Sequence, residues 1–240
     1  MLANNNEAII NKLAKNSVKT NKKQYAILFF TIILSAFMLF CVFTIGMTYL
    51  NSSRLQNTRL NGAEYDIVTM NGFTSEQLNT LQQNENIRSV GIESYAGFIQ
   101  STEYDKTVEI GLLWCDEVFW DNLMSPARTK LDGHYPQNKN ELMVTKDILK
   151  TCGNENLSVG DSLILTYENN TGVYTDEFVI SGIWDGYGDT SAGFVSKAFY
   201  DETGYDLKNN GILCIKLNCN YVFPTTIQSI EKSLDFSDRR

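Results

Sequence analysis

Thirty consecutive residues, from Gln24 to Ser53, carry no charge, and most of them are Phe, Ile, Leu, Met or Val. A run of this kind limits the chain more than any other feature, because it is too long and too apolar for an ordinary core helix. Tyr25 to Leu50 alone, at about 1.5 Å per residue, reaches roughly 39 Å, enough to cross a hydrocarbon layer of about 30 Å with tilt or overhang. Its polar members, Thr31, Ser35, Cys41, Thr44 and Thr48, can return hydrogen bonds to the helix backbone or face neighbouring helices. Tyr25 and Tyr49 stand near the two ends, where amphipathic rings favour the membrane interface. A secretory signal peptide would have a shorter apolar region of about 7–15 residues and a small-residue cleavage site. Tyr49-Leu50-Asn51-Ser52 is not such a site.

Charge divides at the same place. Residues 1 to 50 hold five lysines against one glutamate, and the rest of the chain holds fifteen basic against twenty-seven acidic residues. Lys12, Lys15, Lys19, Lys22 and Lys23 all precede the span, so the positive-inside tendency predicts a cytoplasmic N-terminus and an extracytoplasmic position for everything after residue 50. A net negative domain is a poor holder of phosphates, which excludes nucleic acid as a partner. Ile9, Ile10, Leu13, Ala14 and Val18 recur at helical spacing with Lys12, Lys15 and Lys19 on another face. Two readings fit so short a segment: an interfacial helix with its lysines toward lipid headgroups, or a frayed, solvated tail.

Asn51 to Leu60 has no Gly or Pro and is followed by Gly62, so the helix is expected to continue as a stalk and stop there. Strands are predicted at Tyr65 to Met70 and Ile87 to Gln100, with a helix at Ser75 to Leu81 opened by Thr74, giving a β-α-β unit. Thr107 to Trp114 reads as a further strand and Glu117 to Leu123 as a short helix. In the middle third, Glu141 to Val144 leads into a helix at Lys146 to Cys152, and Ser162 to Tyr167 and Glu177 to Ile183 alternate as strands around the Asn169-Asn170-Thr171-Gly172 turn. Ile212 to Leu217 and Thr225 to Leu234 make a closing β-α step. The expected class is α+β: one transmembrane helix, then a mixed domain in which the first and last parts pair as an α/β lobe and a β-rich subdomain is inserted between them. The boundaries read 1–24 cytoplasmic segment, 25–50 span, 51–62 stalk and 63–240 extracytoplasmic domain.

Chemistry-bearing residues are sparse. His134 is the one histidine and sits in a Gly/Pro turn, which favours a surface turn residue over a ligand or a base. Gly186-Tyr187-Gly188-Asp189 lacks the Gly-Lys-Ser/Thr of a nucleotide loop. Asp116, Glu117, Asp185 and Asp189 could supply paired carboxylates only if the fold gathered them. Cys115, Cys152, Cys214 and Cys219 fall outside the membrane, where a disulfide is permitted. A strand would aim Cys214 and Cys219 at opposite faces, so free, half-buried thiols are the expectation. No catalytic, cofactor or metal residue is assigned.

Four short pieces occur in order: Leu131-Asp132-Gly133-His134-Tyr135-Pro136, Asn140-Glu141-Leu142-Met143-Val144, Val159-Gly160-Asp161-Ser162-Leu163 and Phe178-Val179-Ile180-Ser181-Gly182-Ile183. Taken singly, they are turns and strands: Gly133 and Pro136 punctuate a turn, Gly160-Asp161 tightens another, and Gly182 suggests a bulge or a close backbone approach. Together, behind a Lys-flanked span, they resemble the extracytoplasmic core domain of FtsX/MacB-type ABC transporter permeases. The resemblance implies a non-enzymatic permease subunit that works with a cytoplasmic ABC ATPase on a separate chain, in the membrane, with a second permease copy. It implies export or extrusion of a peptide, antibiotic or lipoprotein. Permeases of this family continue with three more transmembrane helices, so the sequence reads as the first part of a longer protein. The alternative is a single-span extracytoplasmic sensor or binding module.

Overall fold

The structure is a computed structural model that describes residues 6–100, 110–187, 192–218 and 224–234. The chain divides into two units, Met1–Arg54 and Leu55–Arg240. Two helices make the first: α1, Asn6–Thr20, and α2, Lys22–Asn61, whose last turns belong to the second unit. At Asn21 the chain turns between them, and the Ser17 hydroxyl meets the Tyr25 phenol at 3.1 Å. No residue of α2 is buried, and Phe30, Phe43 and Ile45 are each about 70% exposed. Side chains of that kind need lipid or a partner around them. Thr31 and Thr44 donate to the carbonyls of Ile27 and Phe40 at 2.8 Å, the back-bonding expected of hydroxyls in an apolar helix. Gly62, at φ 74°, ends the helix in the left-handed conformation that glycine adopts without cost.

In the second unit, β1 (Ile67–Thr69), α3 (Ser75–Gln82) and β2 (Ile87–Ile99) form the predicted β-α-β step. Thr74 caps α3 with a complete capping box, accepting from the Gln77 N–H while the Gln77 side chain accepts from Thr74 N–H. Next come β3 (Ile110–Cys115), a π-helical turn (Val118–Leu123), β4 (Arg128–Gly133), β5 (Glu141–Thr145), α4 (Lys146–Thr151), β6 (Ser162–Asn169), β7 (Gly172–Gly186) and β8 (Gly193–Val195). The short helices α5 (Lys197–Tyr200) and α6 (Leu207–Asn210) lead to β9 (Gly211–Leu217) and α7 (Pro224–Leu234). The strand expected at Tyr65–Met70 shrinks to three residues, and Thr107 to Glu109 lie outside the described residues.

Both β1 and β2 pair antiparallel with β9, which therefore lies between two parallel strands. First and last parts thus share one lobe, with α3 and α7 packed together on it. The middle strands continue the same sheet through β3, β8, β5 and β7. They also close on themselves, because β6 pairs with β7 along its length and with the end of β2 at Phe98↔Glu168 and Ile99↔Tyr167. The ring β2-β3-β8-β5-β7-β6 is a six-stranded barrel, and closure removes edges that would otherwise stay unpaired. At the seam a Cβ on Gly97 would lie 2.7 Å from the Glu168 carbonyl oxygen, so the strands meet only because that residue is glycine.

Strand alternation sorts the barrel's residues. Leu112, Leu142, Leu163, Leu165, Phe178, Ile180 and Val195 are buried in one core that also takes in Phe199 and Tyr200. Met143, Trp184 and Phe194 alternate with them and join a second core with Phe119, Trp120, Leu123 and Met124 of the π-helical segment. The sequence motifs hold this frame together. Gly133 pairs with Gly182, where a Cβ on Gly133 (φ 90°) would come within 2.2 Å of the Ser181 carbonyl oxygen. The register of β5 against β7 slips at Met143/Gly182, the bulge anticipated there. Gly160 (φ 95°) and Asp161 make the turn before β6, with Asp161 accepting from the Ser158 N–H at 2.8 Å.

Candidate functional site

The residues singled out in the sequence are not gathered into one place. His134 is exposed in the irregular segment after β4, its backbone N–H donating to the Ser181 carbonyl at 2.9 Å. Asp116 accepts from the N–H groups of Ile92 and Phe119 at 2.9 and 2.8 Å, so its carboxylate anchors the π-helical turn to β2. Glu117 makes no side-chain capping bond to that turn, and Asp185 is opposite Lys130 on the edge pair β4/β7. Gly186 ends β7, and Tyr187 lies under the Arg59 guanidinium of the last turn of α2, 3.9 Å from its carbon. Gly188, Asp189 and Cys219 lie outside the described residues. Among the described residues, no group of three His, Cys, Asp or Glu side chains is placed to hold a metal.

The thiols are free but fully buried, not half-buried as expected: Cys115, Cys152 and Cys214 are at most 8% exposed. β3 and β9 are interior strands of the sheet, with Cys115 and Cys214 packed in the second core, and Cys152 at the end of α4 packs in the first. Burial pushes all three thiols above their ordinary range, so they are poor nucleophiles.

Tyr135, within the Gly133 to Pro136 turn, has a structural role the sequence did not reveal. Its hydroxyl accepts from Cys115 N–H at 3.0 Å and lies 3.3 Å from the carbonyl oxygens of Cys115 and Val195, pinning the turn to β3 and β8. Trp120 packs against its ring at 5.0 Å, and the Arg128 guanidinium covers the other partner at 4.0 Å from the Trp120 ring.

Comparison with known proteins adds the following. No family model matches the chain, and no curated protein matches it. Among solved structures it is similar to the periplasmic region of MacB from Actinobacillus actinomycetemcomitans, at 12% identity and a TM-score of 0.46 over 68% of this chain and 73% of that one. It is also similar to a domain of a putative permease protein from Porphyromonas gingivalis, at 11% identity and 0.44 over 71% and 73%. A third is the extracellular domain of the ABC-type transporter YknZ from Gram-positive bacteria, at 14% and 0.42 over 66% and 78%.

One concave site stands out chemically. A pocket of about 240 Å³ lies where α2 ends, lined by Asn61 and Gly62 and walled by Tyr65, Met70, Leu113, Phe119, Met124, Trp184, Phe194 and Ile212. Among the described residues, Glu93 of β2 is the one carboxylate that lines it. Its neighbours Ile92 and Ser94 face the other side of the sheet, so alternation delivers the acid to the pocket. Glu93 is half-buried, and its partial removal from water raises its carboxyl to about 7; among the described residues no hydrogen bond or cation opposes the shift. Two larger surface clefts, about 380 and 570 Å³, are lined by charges of both signs and offer no comparable isolation.

Proposed function

We propose that this chain is the N-terminal part of an ABC transporter permease of the FtsX/MacB type, embedded in the cytoplasmic membrane with residues 51–240 outside. One observation carries the reading: the helix that holds the apolar run continues unbroken from Lys22 to Asn61. The eleven residues beyond Leu50 add roughly 16 Å of helix, whose last turn places Asn61 in the pocket lining and Arg59 over the Tyr187 ring. A mixed domain on such a stalk suits a device that passes motion from a cytoplasmic ATPase to an external surface. The ordered motifs from Gly133 to Ile183, which build the β4-β7-β5 region, support the same reading. On this reading residues 1–24 meet the cytoplasmic partner, 25–50 span, 51–62 form the stalk, and a second copy completes the permease. The cargo would be a peptide, antibiotic or lipoprotein.

A photo-crosslinking residue placed at Lys15 of α1, in the cells that make the protein, tests this. The expected product is a covalent adduct with an ABC-type ATPase carrying a G-x-x-x-x-G-K-S/T loop. Crosslinks to lipid alone would contradict it. The pocket beside Glu93 is the observation that favours the second reading, an extracytoplasmic binding module on a membrane helix, because such a module needs a ligand site.

A further inference from the structure

We propose that the pocket beside Glu93 binds a small apolar primary amine, with its hydrocarbon part against Phe119, Met124 and Trp184 and its ammonium on the Glu93 carboxylate. This holds whether or not the chain is a permease.

Three observations lead there. At about 240 Å³ the pocket is below the range of roughly 300–1,000 Å³ that takes drug-sized ligands, so it suits one alkyl or aryl group and not a folded peptide. Its walls are aromatic, Met and Leu side chains, which reward burial of hydrocarbon. Its one acid among the described residues is half-buried with no cation or hydrogen-bond donor beside it, and a carboxylate partly withdrawn from water in that condition is costly until a positive partner arrives. An anion is repelled by Glu93 and by the acidic surplus beyond residue 50. A neutral alcohol fills the walls but leaves the charge unpaired. Because Asn61 and Gly62 line the same space, an occupant bears directly on the point where α2 ends.

The groups that face Glu93 leave its ionisation in control between pH 6 and 8. They are Tyr65 ahead of β1, Cys115 of β3, Tyr135 after β4 and Cys214 of β9, with Asp116 and Arg128 acting on Cys115 from farther away. Burial raises both phenols and both thiols, so all four stay neutral over this range. With its carboxyl near 7, Glu93 goes from about one-tenth to about nine-tenths ionised between pH 6 and pH 8. An alkylamine stays cationic throughout.

The test uses the whole chain in lipid nanodiscs with ¹³C-methyl methionine, reading Met70 and Met124 in the pocket and Met38 and Met47 of the apolar run, which do not line it, as the internal reference. The probes are n-hexylamine, n-hexanol and hexanoate. Hexylamine should shift the Met70 and Met124 methyls saturably, about tenfold more tightly at pH 8 than at pH 6, in step with Glu93 ionisation. Hexanol should bind more weakly and without pH dependence, and hexanoate should not bind. Glu93→Gln should bring hexylamine down to the level of hexanol and leave hexanol unchanged. If that variant loses its methyl spectrum, the wild-type contrasts of amine against alcohol and of pH 8 against pH 6 decide alone. Hexanol binding as tightly as hexylamine at pH 8, amine affinity indifferent to pH, full affinity in Glu93→Gln, or no saturable shift would each overturn the proposal.

Discussion

Phe178→Ala is expected to lower the stability of the barrel by about 3–5 kcal/mol, the range for removing a buried aromatic ring. Phe178 is 1% exposed on β7, directly opposite Leu163 of β6, and its ring packs 5.9 Å from Tyr167 and 5.5 Å from Phe199. It therefore touches both the strand that closes the barrel and the helix that covers it, and a truncation leaves a cavity whose walls belong to closed strands that cannot collapse freely. Val173→Ala on the same strand is the control: its side chain is 60% exposed, and the change should stay within about 0.5 kcal/mol. Urea unfolding of the whole chain in detergent, followed by tryptophan fluorescence, compares them. A Phe178→Ala midpoint indistinguishable from that of Val173→Ala would mean that the barrel interior is not the chain's principal core.

The second large effect is electrostatic and has a definite sign. Glu93 is held at about 7 in the fold against its ordinary 4.5, because burial disfavours the ionised form. Below pH 4.5 both folded and unfolded chains carry the proton and the group is neutral to stability. Between 4.5 and about 7 the unfolded chain releases the proton while the folded chain keeps it, so stability falls as pH rises and levels off above 7. The full span corresponds to a loss of up to about 3 kcal/mol. Glu93→Gln keeps the shape and removes the titration. Its stability relative to wild type should therefore improve by up to about 3 kcal/mol from pH 4.5 to pH 8, seen as diverging unfolding midpoints. Parallel pH profiles for the two chains would show that Glu93 is solvated.

What the sequence made legible was what local rules govern. The long helix across Tyr25 to Leu50 follows from the uninterrupted apolar run, the stop at Gly62 from the left-handed conformation of glycine, and the start of α3 at Thr74 from its capping box. The bulge at Gly182 could be read because glycine within an apolar strand has few other uses. Pairing between distant segments was less accessible. Closure of β2 on β6 rests on two residue pairs about seventy positions apart, and nothing near Phe98 or Ile99 announces it. The segment at Glu117 to Leu123 was legible as helical but not as a π-helical turn. Its wider winding buries Phe119, Trp120 and Leu123 together and closes with Met124 N–H on the Phe119 carbonyl at 2.8 Å.

The pocket was hidden for the same reason. Glu93 stood in plain view as the acid in the Val90-to-Phe98 stretch, and strict alternation puts it on one face with Gly91 and Tyr95. What makes it unusual is the cover brought by Tyr65, Phe119, Trp184 and Cys214, from four distant parts of the chain. An isolated acid within the otherwise uncharged stretch Ser89 to Ile99 was the available signal.

The apolar run from Tyr25 to Leu50 is read as crossing a membrane, with residues 1–24 on one side and residues 51–240 on the other. The chain's own lysines can report this. Lys139, Lys146 and Lys150 are exposed in the domain, and Lys12, Lys15 and Lys19 are exposed on α1. A membrane-impermeant amine-reactive acylating agent is applied to intact cells and modification is read residue by residue by mass spectrometry. Lys139, Lys146 and Lys150 should be labelled at once, and Lys12, Lys15 and Lys19 only after the membrane is opened. Equal labelling of both sets in intact cells, or labelling of the α1 set alone, would contradict it.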